Sequence, residues 1–67
     1  MKKRLEFTDE RSNKFWEIQL KGKTIKICYG RIGIKNPAVQ TKMFNSIEES
    51  KKYTEKKIRE KTNKGYA

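Results

Sequence analysis

The segment from Cys28 to Gly33 combines an aromatic ring and a guanidinium with two glycines. Side chains two residues apart on a strand point to the same face, so Tyr29 and Arg31 would project together and Gly30 would leave the other face bare. A ring can stack on a sugar or base while a neighbouring cation binds a phosphate. The segment therefore predicts a nucleic-acid or anion site formed by Tyr29, Gly30 and Arg31.

Basic residues are in large excess, because 18 Lys and Arg against 8 Asp and Glu give the 67 residues a net charge of +10. Such an excess favours polyanionic partners, since cations neutralise phosphates and release counterions. Residues 47–63 hold six basic and four acidic residues, so this segment carries +2 and the rest of the chain +8. We expect four lysines to surround the Tyr29 segment and to contact phosphates: Lys14, Lys26, Lys35 and Lys42.

Residue types needed for other chemistries are scarce. Histidine is absent and Cys28 is the only cysteine, so the usual zinc spacings lack ligands and an internal disulfide is excluded. Asp9 and Glu10 are adjacent acids in a turn-rich stretch, where we expect solvated carboxylates. We therefore predict no metal, no cofactor and no enzyme activity. Without an apolar run long enough to span or enter a membrane, the chain is expected in the cytoplasm.

Alternating apolar residues predict a small sheet in one domain covering residues 1–67. The predicted strands are Lys2–Phe7, Phe15–Leu20, Thr24–Tyr29 and Ala38–Phe44, with a loop at Ile32–Pro37. A tight turn at Lys21 and Gly22 would pair Trp16 with Ile27 and place Tyr29 at the rim of the core face. The last strand has two possible inward sets, one of Val39, Thr41 and Met43 and one of Gln40, Lys42 and Phe44.

A helix is predicted after these strands. Ser46 is a favourable N-cap, and Glu49 three residues later can complete a capping box. A weakly apolar helix face would cover the sheet, and it comprises Ile47, Ser50, Tyr53, Thr54 and Ile58. Gly65 would end the helix and Tyr66 could fold back onto the core. The predicted fold class is α+β, an antiparallel sheet of about four strands with one C-terminal helix packed on one face.

Several of these side chains could have a structural role instead of a functional one. Tyr29 could close the sheet edge instead of stacking on a ligand, and Arg31 could form a salt bridge or cap the helix. Gly30 is expected to meet a backbone requirement, either a positive φ or a close approach of another segment. We expect Trp16 in the core and Cys28 as a packing residue.

Five short motifs follow one another along the chain: Phe15-Trp16-Glu17-Ile18, Gly22 in a hairpin, Tyr29-Gly30-Arg31-Ile32-Gly33, Phe44-x-Ser46-x-Glu48-Glu49 and Glu60-Lys61-x-x-Lys64-Gly65-Tyr66. Together they resemble the WGR domain from about Ser12 to Tyr66. That family occurs in poly(ADP-ribose) polymerases, where it contacts DNA near a strand end, and in bacterial proteins. The resemblance implies that Tyr29 replaces the family's stacking tryptophan, and that Arg31 contacts a phosphate or a partner domain.

Together these features predict a non-catalytic module that binds nucleic acid, with DNA favoured over RNA and with ends, nicks or single strands favoured over a specific sequence. Backbone contact and stacking are expected because the one helix shows no pattern for reading a groove. The alternative is a protein-interaction or adaptor module that uses the same Tyr-Gly-Arg surface. The initiating Met1 and the Gly65-Tyr66-Ala67 ending lead us to expect a complete small protein. We also expect a monomer without membrane contact.

Overall fold

The chain folds into four antiparallel strands and one helix. This architecture is seen in a computed structural model, which describes all residues from Met1 to Ala67. The elements are β1 (Lys2–Thr8), β2 (Asn13–Lys21), β3 (Thr24–Arg31), β4 (Ala38–Met43) and α1 (Ile47–Asn63). The strands lie in the order β1-β2-β3-β4, so each pairs with its neighbour in sequence. The predicted α+β architecture is confirmed, and β3 extends two residues beyond the prediction to include Gly30 and Arg31.

The core lies between one face of the sheet and α1. It comprises Leu5, Trp16, Ile18, Ile25 and Ile27, with Leu20, Phe44, Tyr53, Ile58 and Tyr66 packed around it. The helix contributes two small buried polar residues, Ser50 and Thr54, whose hydroxyls donate hydrogen bonds to main-chain carbonyls. The prediction that Trp16 belongs to the core is confirmed. Ile47, predicted on the inner helix face, is the first residue of α1 and is 50% exposed.

The β2–β3 hairpin turns at Gly22 and Lys23, one residue later than predicted. Gly22 has a φ of +61°, and no residue other than glycine has a positive φ. A glycine at the first central position followed by an ordinary residue is the pattern of a type II′ turn. Lys21 cannot take that first position without strain, which explains why the turn excludes it.

The register of this hairpin is shifted by two residues relative to the prediction. The pairs are Leu20 with Ile25, Ile18 with Ile27, Trp16 with Tyr29 and Lys14 with Arg31. A shift of two preserves the face of every side chain because side chains alternate with a period of two. The predicted core face is therefore correct, whereas the predicted pairings of Trp16 with Ile27 and Lys14 with Tyr29 are wrong.

The fourth strand directs Gln40 and Lys42 toward the helix side, because they pair with the core residues Ile27 and Ile25. Val39, Thr41 and Met43 therefore lie on the open face of the sheet, which decides between the two predicted alternatives.

Both helix ends are fixed by specific hydrogen bonds. The Ser46 hydroxyl accepts a bond from the Glu49 N–H at 3.1 Å, which confirms the predicted N-cap. After Asn63 the chain turns at Gly65, whose φ is +102°, and the Tyr66 ring comes within 5.6 Å of the Phe7 ring, centroid to centroid. The predicted return of Tyr66 to the core is confirmed. At 17 residues and with a charged outer face, α1 is too short and too polar to cross a bilayer.

Candidate nucleic-acid interface

Tyr29 and Arg31 project from the same face of β3, beside the core. Tyr29 is 47% exposed, and its hydroxyl makes no hydrogen bond within the protein. The Arg31 side chain is exposed, has no carboxylate within 4.0 Å and does not cap the helix, whose last carbonyls bond to the N–H groups that follow them. Neither side chain has the structural partner that would explain its position. Both therefore remain available to a ligand.

A cleft of about 360 Å³ opens next to Arg31, where the β1–β2 loop meets the end of β3. Its lining residues are Arg11, Ser12, Asn13, Lys14, Arg31 and Ile32. Three of these six are cations and none is a carboxylate. We call this feature the basic cleft, and its composition suits an anion such as a phosphate.

The loop at this cleft is held in place by Asp9. One carboxylate oxygen of Asp9 accepts hydrogen bonds from the main-chain N–H of Arg11 at 2.8 Å and of Ser12 at 2.6 Å. The loop is also joined to β3, because the Ile32 N–H donates to the Asn13 carbonyl at 2.9 Å. Asp9 is exposed, as predicted from the sequence, and its carboxylate also positions the Arg11 backbone.

Aromatic rings surround two lysines beside the cleft. The ammonium nitrogen of Lys14 lies 5.0 Å from the centre of the Phe7 ring and 5.7 Å from that of Tyr66. The Lys61 ammonium lies 5.8 Å from the Trp16 ring and 5.2 Å from the Tyr66 ring. Cations within about 6 Å of a ring face are attracted to it. The rings therefore hold both ammonium groups at this surface although the groups repel each other.

Burial and the crowding of positive charges at this surface destabilise the charged form of Lys61. Burial lowers the pKa of its ammonium group, and the like charges of Lys64, Lys57 and Lys14 lower it further. A bound polyanion would offset both effects. We define the Tyr29 patch as Tyr29 with the four cations Arg11, Lys14, Arg31 and Lys61.

Only one of the four predicted lysines lies in the Tyr29 patch. Lys14 is paired with Arg31, whereas Lys26 lies on the open face of the sheet, opposite to Tyr29. Lys42 is paired with Ile25, four residues along β4 from the partner of Tyr29, and its ammonium contacts the Tyr53 ring at 4.9 Å. Lys35 lies in the loop between β3 and β4. The predicted ring of lysines around Tyr29 is therefore not assembled.

Gly30 serves the backbone, as expected, because its φ of +156° is one that residues with a side chain rarely adopt, and it also serves packing inside the protein. A Cβ placed there would lie 3.3 Å from Cγ2 of Ile34, because the loop after β3 folds back over this residue. The face predicted to be bare is thus occupied by the chain itself. Phe15, the strand partner of Gly30, is also buried on this face, with the Arg4 guanidinium 4.3 Å from the centre of its ring.

Arg11 and Lys61 were missed by the sequence reasoning. Lys61 could have been identified from the sequence, because it follows the inward Ser50 by eleven residues. That spacing is about three helical turns and places both residues on the same helix face. No sequence signal identifies Arg11, since its position depends on the hydrogen bonds of Asp9.

Comparison with known proteins identifies the family of this chain. The family model described as the WGR domain matches residues 1–67, which is the whole chain. The chain belongs to the WGR domain family. This WGR domain carries tyrosine at the first position of the triplet that names the family, and the resemblance deduced from its five motifs is confirmed. WGR is a small binding-type domain.

Two proteins are similar to this chain, one in sequence and the other in both sequence and structure. The Escherichia coli (strain K12) protein YfeS, named as uncharacterized, is 42% identical over 66 residues, which cover 98% of this chain and 27% of that protein. A crystal structure of a Bacteroides fragilis protein superimposes with a TM-score of 0.94 at 40% identity, over 100% of this chain and 19% of that one. This WGR domain therefore spans about a quarter or less of the relatives it matches.

Proposed function

We propose that this WGR domain is a non-catalytic nucleic-acid-binding module. Tyr29 stacks on an exposed base or sugar, while the cations of the Tyr29 patch bind neighbouring phosphates. The observation that supports this proposal most directly is the basic cleft. An exposed aromatic ring lies beside it, and none of its three cations has a carboxylate partner.

The two kinds of contact supply different parts of the binding energy. Stacking of one base on an aromatic side chain contributes about 1–3 kcal/mol and tolerates any base. Tyrosine offers less stacking area than tryptophan, so its contribution belongs in the lower part of that range. Phosphate contacts supply the remainder, and they weaken as salt concentration rises.

The fold favours ends, nicks and single strands over intact duplex. The inner face of α1 packs on the sheet, and the Ser50 hydroxyl near its N-terminus donates to the Gly22 carbonyl at 2.8 Å. The first turn of α1 is also acidic, with Glu48 and Glu49. This helix is therefore unsuited to entering a major groove. A ring such as Tyr29 needs an unstacked base or a terminal sugar, and DNA ends, nicks and single strands provide these.

Fluorescence anisotropy with labelled nicked, blunt and single-stranded DNA and with single-stranded RNA tests the proposal. We expect nicked or single-stranded DNA to bind more tightly than blunt duplex, and Tyr29→Ala to reduce that preference. A matched control is Lys52→Ala, because helical spacing places Lys52 opposite the inward Ser50 and Thr54. Binding that is unchanged by Tyr29→Ala, or equally weakened by Lys52→Ala, would contradict the proposal. Binding to an acidic protein without binding to nucleic acid would favour the adaptor alternative.

A further inference from the structure

The two edges of the sheet differ in their main-chain hydrogen bonding. At the β1 edge, the Glu6 N–H donates to the Ala67 carbonyl and the Ala67 N–H donates to the Glu6 carbonyl, both at 2.8 Å. The end of the chain thus covers part of that edge. No corresponding segment pairs with the outer edge of β4.

The outward groups of β4 follow from the alternation of an antiparallel ladder. The Phe44 N–H donates to the Lys23 carbonyl at 2.9 Å, and in such a ladder every second residue bonds to the same neighbour. Ala38, Gln40 and Lys42 therefore bond toward β3. The main-chain groups of Val39, Thr41 and Met43 point away from the sheet, and no protein group bonds to them.

The side chains at this edge do not protect it. Val39 is 56% exposed and Met43 is 81% exposed, and both lie on the open face of the sheet. Natural edge strands commonly carry charges, proline or a bulge that prevents pairing with another strand. In β4 the only charge is Lys42, and it lies on the helix side against the Tyr53 ring. The strand is therefore a suitable template for strand addition.

A second basic cleft lies on the open face beside Thr41. It has a volume of about 420 Å³ and is lined by Gln19, Lys21, Thr24, Lys26 and Thr41. It contains two lysines and no carboxylate. Lys26 is the β3 partner of Thr41, so a residue opposite Thr41 on an added strand would lie about 10 Å from Lys26, two strand spacings away. Extended glutamate and lysine side chains can span that distance.

We infer that β4 binds an extended acidic segment of a partner protein, which joins the sheet as a fifth strand. Its main chain bonds to Val39, Thr41 and Met43, and its acidic side chain opposite Thr41 reaches the cleft at Lys26. A second copy of this chain fits less well, because each copy carries a net charge of +10. This site is separate from the Tyr29 patch, which lies on the opposite face.

A synthetic peptide provides the probe: nine residues of alternating threonine and valine with a central glutamate, acetylated and amidated at its ends. Amide chemical-shift mapping on the whole chain should place its binding at β4. Thr41→Pro should weaken binding by about tenfold or more, because proline removes one outward donor. The sheet itself is retained, since that N–H bonds to nothing in the protein. Lys26→Glu should weaken binding by roughly threefold to tenfold, and Lys52→Glu, with the same change of charge, should not.

Modified peptides keep the test valid if a protein variant fails to fold. A peptide with methylated main-chain nitrogens, or with lysine in place of the central glutamate, should bind weakly to the unaltered protein. Equal binding of these peptides and the probe would overturn the inference. Shifts confined to the Tyr29 patch, or pairing of two copies at β4 in sedimentation while the peptide does not bind, would also overturn it.

Discussion

Replacing each cation of the Tyr29 patch with glutamine should reduce the salt dependence of DNA binding in equal steps. The variants are Arg11→Gln, Lys14→Gln, Arg31→Gln and Lys61→Gln. Glutamine keeps much of the side-chain length and polarity but cannot neutralise a phosphate. None of these four cations has a carboxylate within 4.0 Å, so no ion pair inside the protein is lost.

The expected magnitude follows from counterion release. Each neutralised phosphate of duplex DNA contributes about 0.9 to the slope of log affinity against log salt concentration. Four contacts give a slope of about −3.6, so raising salt fourfold weakens binding by about 150-fold. A single substitution reduces the slope to about −2.7, and the same increase in salt then weakens binding by about 40-fold.

Anisotropy titrations of a nicked duplex, at several salt concentrations between about 50 and 200 mM, measure this slope. Lys52→Gln has the same change in net charge but lies on the outer helix face, so its slope should equal that of the unaltered protein. The reasoning is refuted if all four variants keep the original slope. It is also refuted if Lys52→Gln lowers the slope as much as they do, because overall charge would then explain the binding.

Other substitutions test stacking, packing and charge crowding. Tyr29→Ala should cost about 1–2 kcal/mol of binding and Tyr29→Trp should not, with thermal melting as the folding control. Gly30→Ala should cost roughly 1–3 kcal/mol of stability in denaturant unfolding, and less with Ile34→Ala, which removes the crowding atoms; equal costs would contradict the packing. Lys61→Met should weaken DNA binding but change stability by less than about 1 kcal/mol, because it removes two like-charge helix pairs and also two cation–ring contacts of similar size. The lowered Lys61 pKa means that the unaltered protein gains stability as pH rises toward 10.5, and Lys61→Met should abolish this gain.

Much of the fold could be predicted because its local signals agree. Alternating apolar residues identified the strands, and Ser46 and Gly65 marked the ends of the helix. The hairpin register could not be decided from the hydrophobic pattern, since a two-residue shift keeps Trp16 and Tyr29 on the same face. The choice between the two registers depends on which position Gly22 takes in the turn, and the alternation of the two strands does not indicate that position.

The site was predicted only in part. Tyr29 and Arg31 are two residues apart in sequence and therefore on one strand face, so alternation alone placed them together. The positions of the lysines relative to the Tyr29 patch depend on contacts between distant parts of the chain. Lys26 is near Tyr29 in sequence and Lys42 is on the strand that pairs with β3, but both lie away from the Tyr29 patch. Lys61 reaches it from a distant helix. For Gly30, the folding of Ile34 over the sheet cannot be read from local spacing.

The hydrogen bond from Ser50 to the Gly22 carbonyl has a consequence for how the chain folds. Both possible turns leave the hairpin with an apolar core face, so the hydrophobic pattern alone permits either register. The Ser50 hydroxyl, 28 residues further along the chain, shares its proton between the Ile47 carbonyl and the Gly22 carbonyl, and the second of these acceptors is present only when Gly22 occupies its final place in the turn. Docking of the helix therefore adds to the preference of the turn for glycine at its first position, and it stabilises the register in which Lys14 is aligned with Arg31.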